Sequence, residues 1–137
     1  MAKQIFVNLP VKDLKKTMEF FTKLGFKFNK QFTNKKAACM IIGDNMYSML
    51  ITEKFFKTFI PKKKIADAKK TTEVLTALQL NSRKEVDEMM KRVLAAKGKE
   101  ARKGEDHGWM YSRTFEDPDG HIWEVFYMDI RKAPKQV

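Results

Sequence analysis

A chain of 137 residues, 43% hydrophobic and 33% charged, is long enough for one domain with a real core and too apolar for a disordered segment. No uninterrupted apolar run approaches the ~18–20 residues of a membrane span. The start, MAKQIFVNLPV, has no apolar leader followed by a small-residue cleavage site, so a cytoplasmic protein is expected. The formal charge is +11, which raises the question of nucleic acid. The lysines are scattered, with local runs at Lys62–Lys64 and Lys69–Lys70, and no base-stacking aromatics are interleaved with them. A solvated lysine-rich surface is therefore the expectation, and salt-dependent DNA binding would reverse it. The single cysteine, Cys39, sits in AACMII and reads as a small buried hydrophobe rather than a disulfide partner.

In chain order, IFVNLPV (5–11) alternates and reads as a strand. Asp13 is placed to cap a helix over LKKTMEFFTKL, with Leu14, Met18, Phe21 and Leu24 as its buried stripe and Gly25 as its stop. FKFNKQF follows as a strand. AACMIIGDNMYSMLIT then divides into two strands at Gly43-Asp44-Asn45, a hairpin signal. The segment Glu53–Thr72 joins two halves. It opens on EKFFKTFI, a short helix with Phe55, Phe56 and Phe59 on one side, ended by Pro61. It is either a linker docked on the core or a flap over a cavity.

The second half repeats the order. VLTALQL (74–80) is a strand. Ser82 and Glu85 form a capping-box pair for a helix carrying Val86, Met89, Met90, Val93 and Leu94, which ends near Gly98. A short strand is expected around Glu100–Lys103. GWMYSRTF and HIWEVFYM then make a hairpin through Asp117-Pro118-Asp119-Gly120. Frayed ends are expected at Met1–Lys3 and Arg131–Val137.

This duplicated βαβββ plan, with the VNLPVKDL opening, the LGF after the first helix and the closing DPDGHIWEVF, resembles the vicinal oxygen chelate superfamily. That superfamily holds glyoxalase I, the fosfomycin and bleomycin resistance proteins and the extradiol dioxygenases. The likeness spans roughly residues 4–128. IFVNLPVKDL, FFKTF, DHG and DGHIWEVF are also similar to small bacterial proteins described as lactoylglutathione lyases. The resemblance implies an α+β fold: a single domain of two βαβββ modules (4–52 and 73–129, with 53–72 as the crossover), curled mixed sheets forming a cavity, and helices outside. It also implies a small-molecule ligand and a homodimer.

Glyoxalase-type members place a divalent metal in the cavity, held by side chains from the first and last strand of each module. Carried onto this chain, those positions fall on Phe6, on Met49 or Leu50, on Leu75 and on Glu124. Only the last is a ligand type for such an ion, so no metal and no other cofactor is expected. Glu124 is instead a candidate general base in a metal-free site, the partner of a basic side chain such as Arg113 on the next strand, or a relic solvated by cavity water. Asn8 shares strand parity with Phe6 and joins it as a ligand-binding candidate. His107, beside a glycine at a sheet rim, offers a titratable or anion-binding group. Tyr111 and Arg113, on one face of their strand, offer a hydroxyl and an anion-binding fork. Phe56 would cover the cavity. His121, opposite in parity to Glu124, reads as structural. Two function classes follow: a ligand-binding protein of the drug-resistance type, with an apolar cavity and no metal, and a glyoxalase- or lyase-type enzyme. The enzyme would have a metal site rebuilt from His107, His121 and Glu124, or acid–base chemistry at Glu124.

Overall fold

The computed structural model describes residues 1–135. The chain forms two compact units, Met1–Asp67 and a second beginning at Ala68. In the first, strand β1 (Ile5–Val11) leads into helix α1 (Leu14–Leu24), then β2 (Lys27–Asn29), β3 (Ala37–Gly43), β4 (Met46–Thr52) and one helical turn, α2 (Glu53–Phe56). The sheet order is β1-β4-β3-β2. β1 runs parallel to β4, and the other pairs are antiparallel.

α1 starts and stops where its caps dictate. The Asp13 carboxylate accepts from the Lys16 amide at 3.1 Å. At the other end Gly25 takes φ 104°, and the Phe26 amide reaches back to the Phe21 carbonyl at 3.0 Å. That is the left-handed closure a Cβ disfavours. Leu14, Thr17, Phe20, Phe21 and Leu24 are buried, each large apolar member contributing about 1.5–3 kcal/mol. Met18, expected in that stripe, is only half-buried. β2 is shorter than FKFNKQF suggests. The Asn29 side chain accepts from the Gln31 amide at 3.0 Å, and this local bond turns Lys30–Phe32 into a 3-10 helix.

The second unit holds β5 (Leu75–Gln79), α3 (Arg83–Ala95), β6 (Lys99–Asp106), β7 (Met110–Glu116) and β8 (Ile122–Met128). The order is β5-β8-β7-β6, with β5 parallel to β8 and the rest antiparallel. Strand, helix and three strands thus recur with one topology. Ser82 Oγ accepts from the Glu85 amide at 3.1 Å, and Glu85 accepts from the Asn81 amide at 2.9 Å, completing the cap. Val86, Met90 and Val93 are buried against the sheet, whereas Met89 is half-buried and Leu94 is 53% exposed. The stop differs from expectation: Lys97, not Gly98, takes the left-handed position (φ 66°). β6 is also longer than Glu100–Lys103, because two register shifts let it continue along β7. At the C-terminus Asp129 caps a 3-10 turn at Ile130–Lys132. The end of the stretch expected to fray, 136–137, lies outside the described residues.

The β7–β8 turn is organised by one buried carboxylate. Asp117 is 5% exposed. It accepts from the Asp119 amide (2.9 Å), the His121 amide (3.0 Å) and the Trp123 indole (3.1 Å), while the Gly120 amide donates to its carbonyl at 3.0 Å. Burial pushes this carboxyl above its ordinary value. Gly120 has φ 93°, and a Cβ there would stand 2.9 Å from the Lys69 backbone nitrogen, so only glycine fits. Asp117→Ala leaves three donors unsatisfied and is expected to destabilise by about 2–4 kcal/mol, read as a lowered melting temperature. Gly120→Ala should also lower it.

Candidate functional site

In each unit one sheet face packs on the long helix, α1 or α3; the opposite face of the first unit also carries the buried Ala37, Cys39 and Ile51. Strand parity assigns the residues. In the first unit Val11, Met40, Leu50 and Leu9 are buried on the side of α1. On the opposite side Phe6 pairs with Tyr47, and Asn8 and Cys39 pair with Met49. Phe6 and Tyr47 stack, with centroids 4.8 Å apart and planes 15° apart, yet Phe6 remains 46% exposed. Asn8 is exposed as well. Met49 shares the face of Phe6, and Leu50 lies in the core. Phe56 is half-buried on α2, which touches β1 and β4.

In the second unit Phe115, Trp123 and Val125 are fully buried on the side of α3. Glu124 points the other way, between Ala77 on β5 and Thr114 on β7. It is half-buried and has no hydrogen bond or ion pair among the described residues. Beside it Thr114 (3% exposed) and Ser112 (1%) carry hydroxyl oxygens with no hydrogen-bond partner among the described residues. Arg102 and Glu105 on β6 lie opposite Thr114 and Ser112 and pair with each other at 2.5 Å. His107 Nε2 stands 3.0 Å from Glu105 Oε2, and its ring is exposed at the rim. Ser112 and Thr114 were missed in the sequence. Only the observed register shows that they flank Glu124.

Tyr111 and Arg113 share one face of their strand as expected, but it is not the face of Glu124, so Arg113 is not the partner of Glu124. The ladder pairs Arg113 with Val125 and Tyr111 with Tyr127, which puts both on the helix side. Arg113 is already filled: Glu100 holds it at 2.9 and 3.2 Å and Asp87 at 3.1 Å. Glu100 above all raises its pKa further. The Tyr111 hydroxyl donates to Asp87 at 2.6 Å, which lowers the Asp87 carboxyl and raises the phenol. Nearby, Arg83 clamps Asp106 at 2.8 and 2.9 Å and lies over the Tyr111 ring, 5.3 Å from its centroid. That clamp holds the Asp106 carboxyl down at about 2. These residues fasten α3 to β6 and β7. A groove of about 620 Å³ beside α1, lined by Leu14, Met18, Thr22 and Asn34 among others, shares no residue with the sheet faces that carry Phe6 and Glu124.

The metal implied by the resemblance finds no matching donor set. Phe6, Met49 and Leu75 offer hydrocarbon and thioether where hard oxygen or nitrogen is needed. Among the described residues no three His, Cys, Asp or Glu side chains gather as a metal-holding group.

The family model "Glyoxalase/Bleomycin resistance protein/Dioxygenase superfamily" matches residues 3–125, and the chain belongs to that superfamily. Among solved structures it is similar to hypothetical protein SA1046 of S. aureus, at 28% identity and TM-score 0.78 over 93% of this chain and 95% of that one. A glyoxalase/bleomycin resistance protein/dioxygenase family enzyme of Burkholderia phytofirmans gives TM-score 0.78 at 11% identity, over 93% and 99%. The fosfomycin resistance protein FosX of Listeria monocytogenes gives 0.66 at 20%, over 93% of each chain. These last two likenesses concern the fold. No curated protein matches the chain.

Asp87 and Asp106 both have carboxyl pKa values depressed by folding. The stability they confer is present above the ordinary carboxylate value near 3.8 and is lost as pH falls through the folded value, about 2 for Asp106. The contact of α3 with β7 should therefore loosen between about pH 4 and pH 2, read by amide exchange along α3. Asp87→Asn should flatten that dependence.

Proposed function

We propose that this chain is a small-molecule-binding protein of the glyoxalase/bleomycin-resistance type that works without the usual metal-ligand set. The stacked Phe6–Tyr47 pair, with Phe6 46% exposed and Tyr47 half-buried, is the observation that carries this reading. A partly open aromatic platform on the sheet face away from α1, with the Asn8 amide beside it, suits a flat apolar ligand with one polar edge. Phe56, on the short helix that follows, would contribute from the end of β4. His107 would bind at the rim of the second unit. Tyr111 and Arg113, committed to Asp87 and Glu100, would act by holding β7 in place. We also assign the protein to the cytoplasm and to a homodimer, which light scattering would register as twice 16.1 kDa.

A second reading is favoured by Glu124, a half-buried carboxylate with no partner among the described residues. It has the form of a general base in a metal-free lyase.

A thermal-shift screen of uncharged aromatic compounds tests the first reading, because a ligand that binds only the native state raises its melting temperature. Hits that stabilise the wild type and lose the effect in Phe6→Ala are expected. A screen without hits, or hits indifferent to Phe6, would sink it. Zn, Ni, Co or Mn should be retained at well below one ion per chain. Stoichiometric metal lost on Glu124→Gln would favour the enzyme.

A further inference from the structure

We infer that one end of the first unit docks on an anionic membrane surface, with the Lys62–Lys64 run as its polybasic signal and Phe59 as its apolar anchor. The inference is independent of the small-molecule reading and concerns a different part of the chain.

The charge of +11 is divided unevenly. Residues 1–67 hold 14 lysines, no arginine and five acidic side chains, a net of +9, and residues 68–137 hold the remaining +2. The second unit neutralises much of its charge internally: Arg83 pairs with Asp106, Arg102 with Glu105, and Arg113 with Asp87 and Glu100. In the first unit Lys35, Lys54, Lys57 and Lys62–Lys64 form no ion pair among the described residues.

Topology gathers these lysines. β3 begins where β4 ends, Ala37 opposite Ile51, and β2 ends there too, Asn29 opposite Cys39. The loop ahead of β3 and the segment after β4 therefore lie at one end of the sheet, and they touch. The Thr52 amide donates to the Lys36 carbonyl at 2.9 Å, and the Lys36 ammonium lies 5.5 Å from the centroid of the Phe55 ring. Phe59, in a 3-10 turn at Lys57–Phe59, packs edge-on against Phe55 with centroids 5.0 Å apart and is still 61% exposed. Phe32, on the turn after β2, is 59% exposed at the same end. Past Pro61, Lys62, Lys63 and Lys64 are all exposed. An open phenylalanine braced by a second ring is thus flanked on both sides by unpaired cations.

The partner must offer dense negative charge and an apolar layer within reach of one side chain. A bilayer containing acidic lipids offers both. Its surface attracts clustered lysines. Its acyl boundary accepts a phenylalanine ring, while lysine stems lie along it and keep their ammonium groups in water. Stable attachment of this kind takes two signals, here one apolar and one polybasic. Nucleic acid fits less well, because its recognition favours the planar arginine fork and the first unit has no arginine. A small anion would leave Phe59 in water. The attachment is peripheral: no helix among the described residues is long and apolar enough to cross a membrane.

The test is co-sedimentation of the full chain with vesicles of phosphatidylcholine alone and with about 30% phosphatidylglycerol. Binding to the acidic vesicles only, weakened as salt rises, is expected. Lys62→Gln, Lys63→Gln and Lys64→Gln in one chain should weaken it by about tenfold or more. The same charge removed from the second unit, by Lys91→Gln, Lys103→Gln and Lys132→Gln, should weaken it by no more than about twofold. Phe59→Ala should weaken it by roughly five- to tenfold and keep the wild-type salt dependence, since it removes no charge. All these side chains are exposed, and an unchanged melting temperature confirms that each variant is folded. Absence of binding to acidic vesicles would overturn the inference. So would equal losses in the two lysine sets, or a Phe59→Ala chain that binds like the wild type. A short DNA duplex that displaces the chain from acidic vesicles at equal phosphate concentration would make nucleic acid the preferred polyanion and overturn it as well.

Discussion

The arrangement of the second unit depends on the Asp117 carboxylate. By accepting from the Asp119 and His121 amides and the Trp123 indole, it fixes the length of the β7–β8 turn and so the ladder register. Glu116 then pairs with Ile122, Thr114 with Glu124 and Arg113 with Val125. Strand side chains alternate with a period of two, so a slip of one residue would exchange every partner between the two faces. Burying a carboxylate is costly. The cost is offset because its lone pairs meet N–H donors that would otherwise lie unpaired inside the turn. Gly120 completes the arrangement by letting the Ala68–Lys69 backbone approach where a Cβ would collide.

Why Arg113 and Glu124 do not meet follows from that register. If Asp117–Gly120 alone were the loop, Glu116 would oppose His121 and Arg113 would oppose Glu124. The Asp117 amide instead donates to the His121 carbonyl, which pairs Asp117 with His121, leaves only Pro118–Gly120 as the loop and moves the ladder on by one residue. Arg113 turns toward α3, where Asp87 and Glu100 neutralise it, and Glu124 is left on the other face with two hydroxyls. The sequence shows the hairpin clearly, because proline and glycine between alternating apolar runs are a strong local signal. The number of residues the turn absorbs depends on a buried hydrogen-bond set that no local pattern reveals.

The same distinction covers the rest of the fold. Asp13, Gly25, Ser82 and Glu85 act through local backbone bonds, and helices α1 and α3 begin where these residues predict. Lys97 at the left-handed position shows the limit of that logic: the closing bond from the Gly98 amide to the Val93 carbonyl sets the geometry, and a lysine tolerates the cost. β6 extends past Lys103 because β7 offers a ladder to pair with, which no propensity of KGED announces. The α+β architecture and the superfamily were legible, since both rest on element order and the closing motif. Of the candidate site, Phe6, Asn8 and Glu124 could be placed by parity within their own strands. Ser112, Thr114 and the true partners of Tyr111 and Arg113 needed the register between strands.

The two units share a topology and differ in chemistry. The first carries Phe6, Tyr47 and Met49 on the sheet face away from α1, with Asn8 as the polar member. The second has Glu124, Ser112 and Thr114 on the corresponding face, the carboxylate half-buried and both hydroxyls buried. Hydrocarbon and thioether cannot share a hard cation with one carboxylate, so the side chains at the positions the resemblance points to do not make a metal site around Glu124. A half-buried carboxylate without a metal, arginine or lysine must find its counter-charge in water or in a ligand. Water partly solvates the carboxylate but leaves the two shielded hydroxyls unmet.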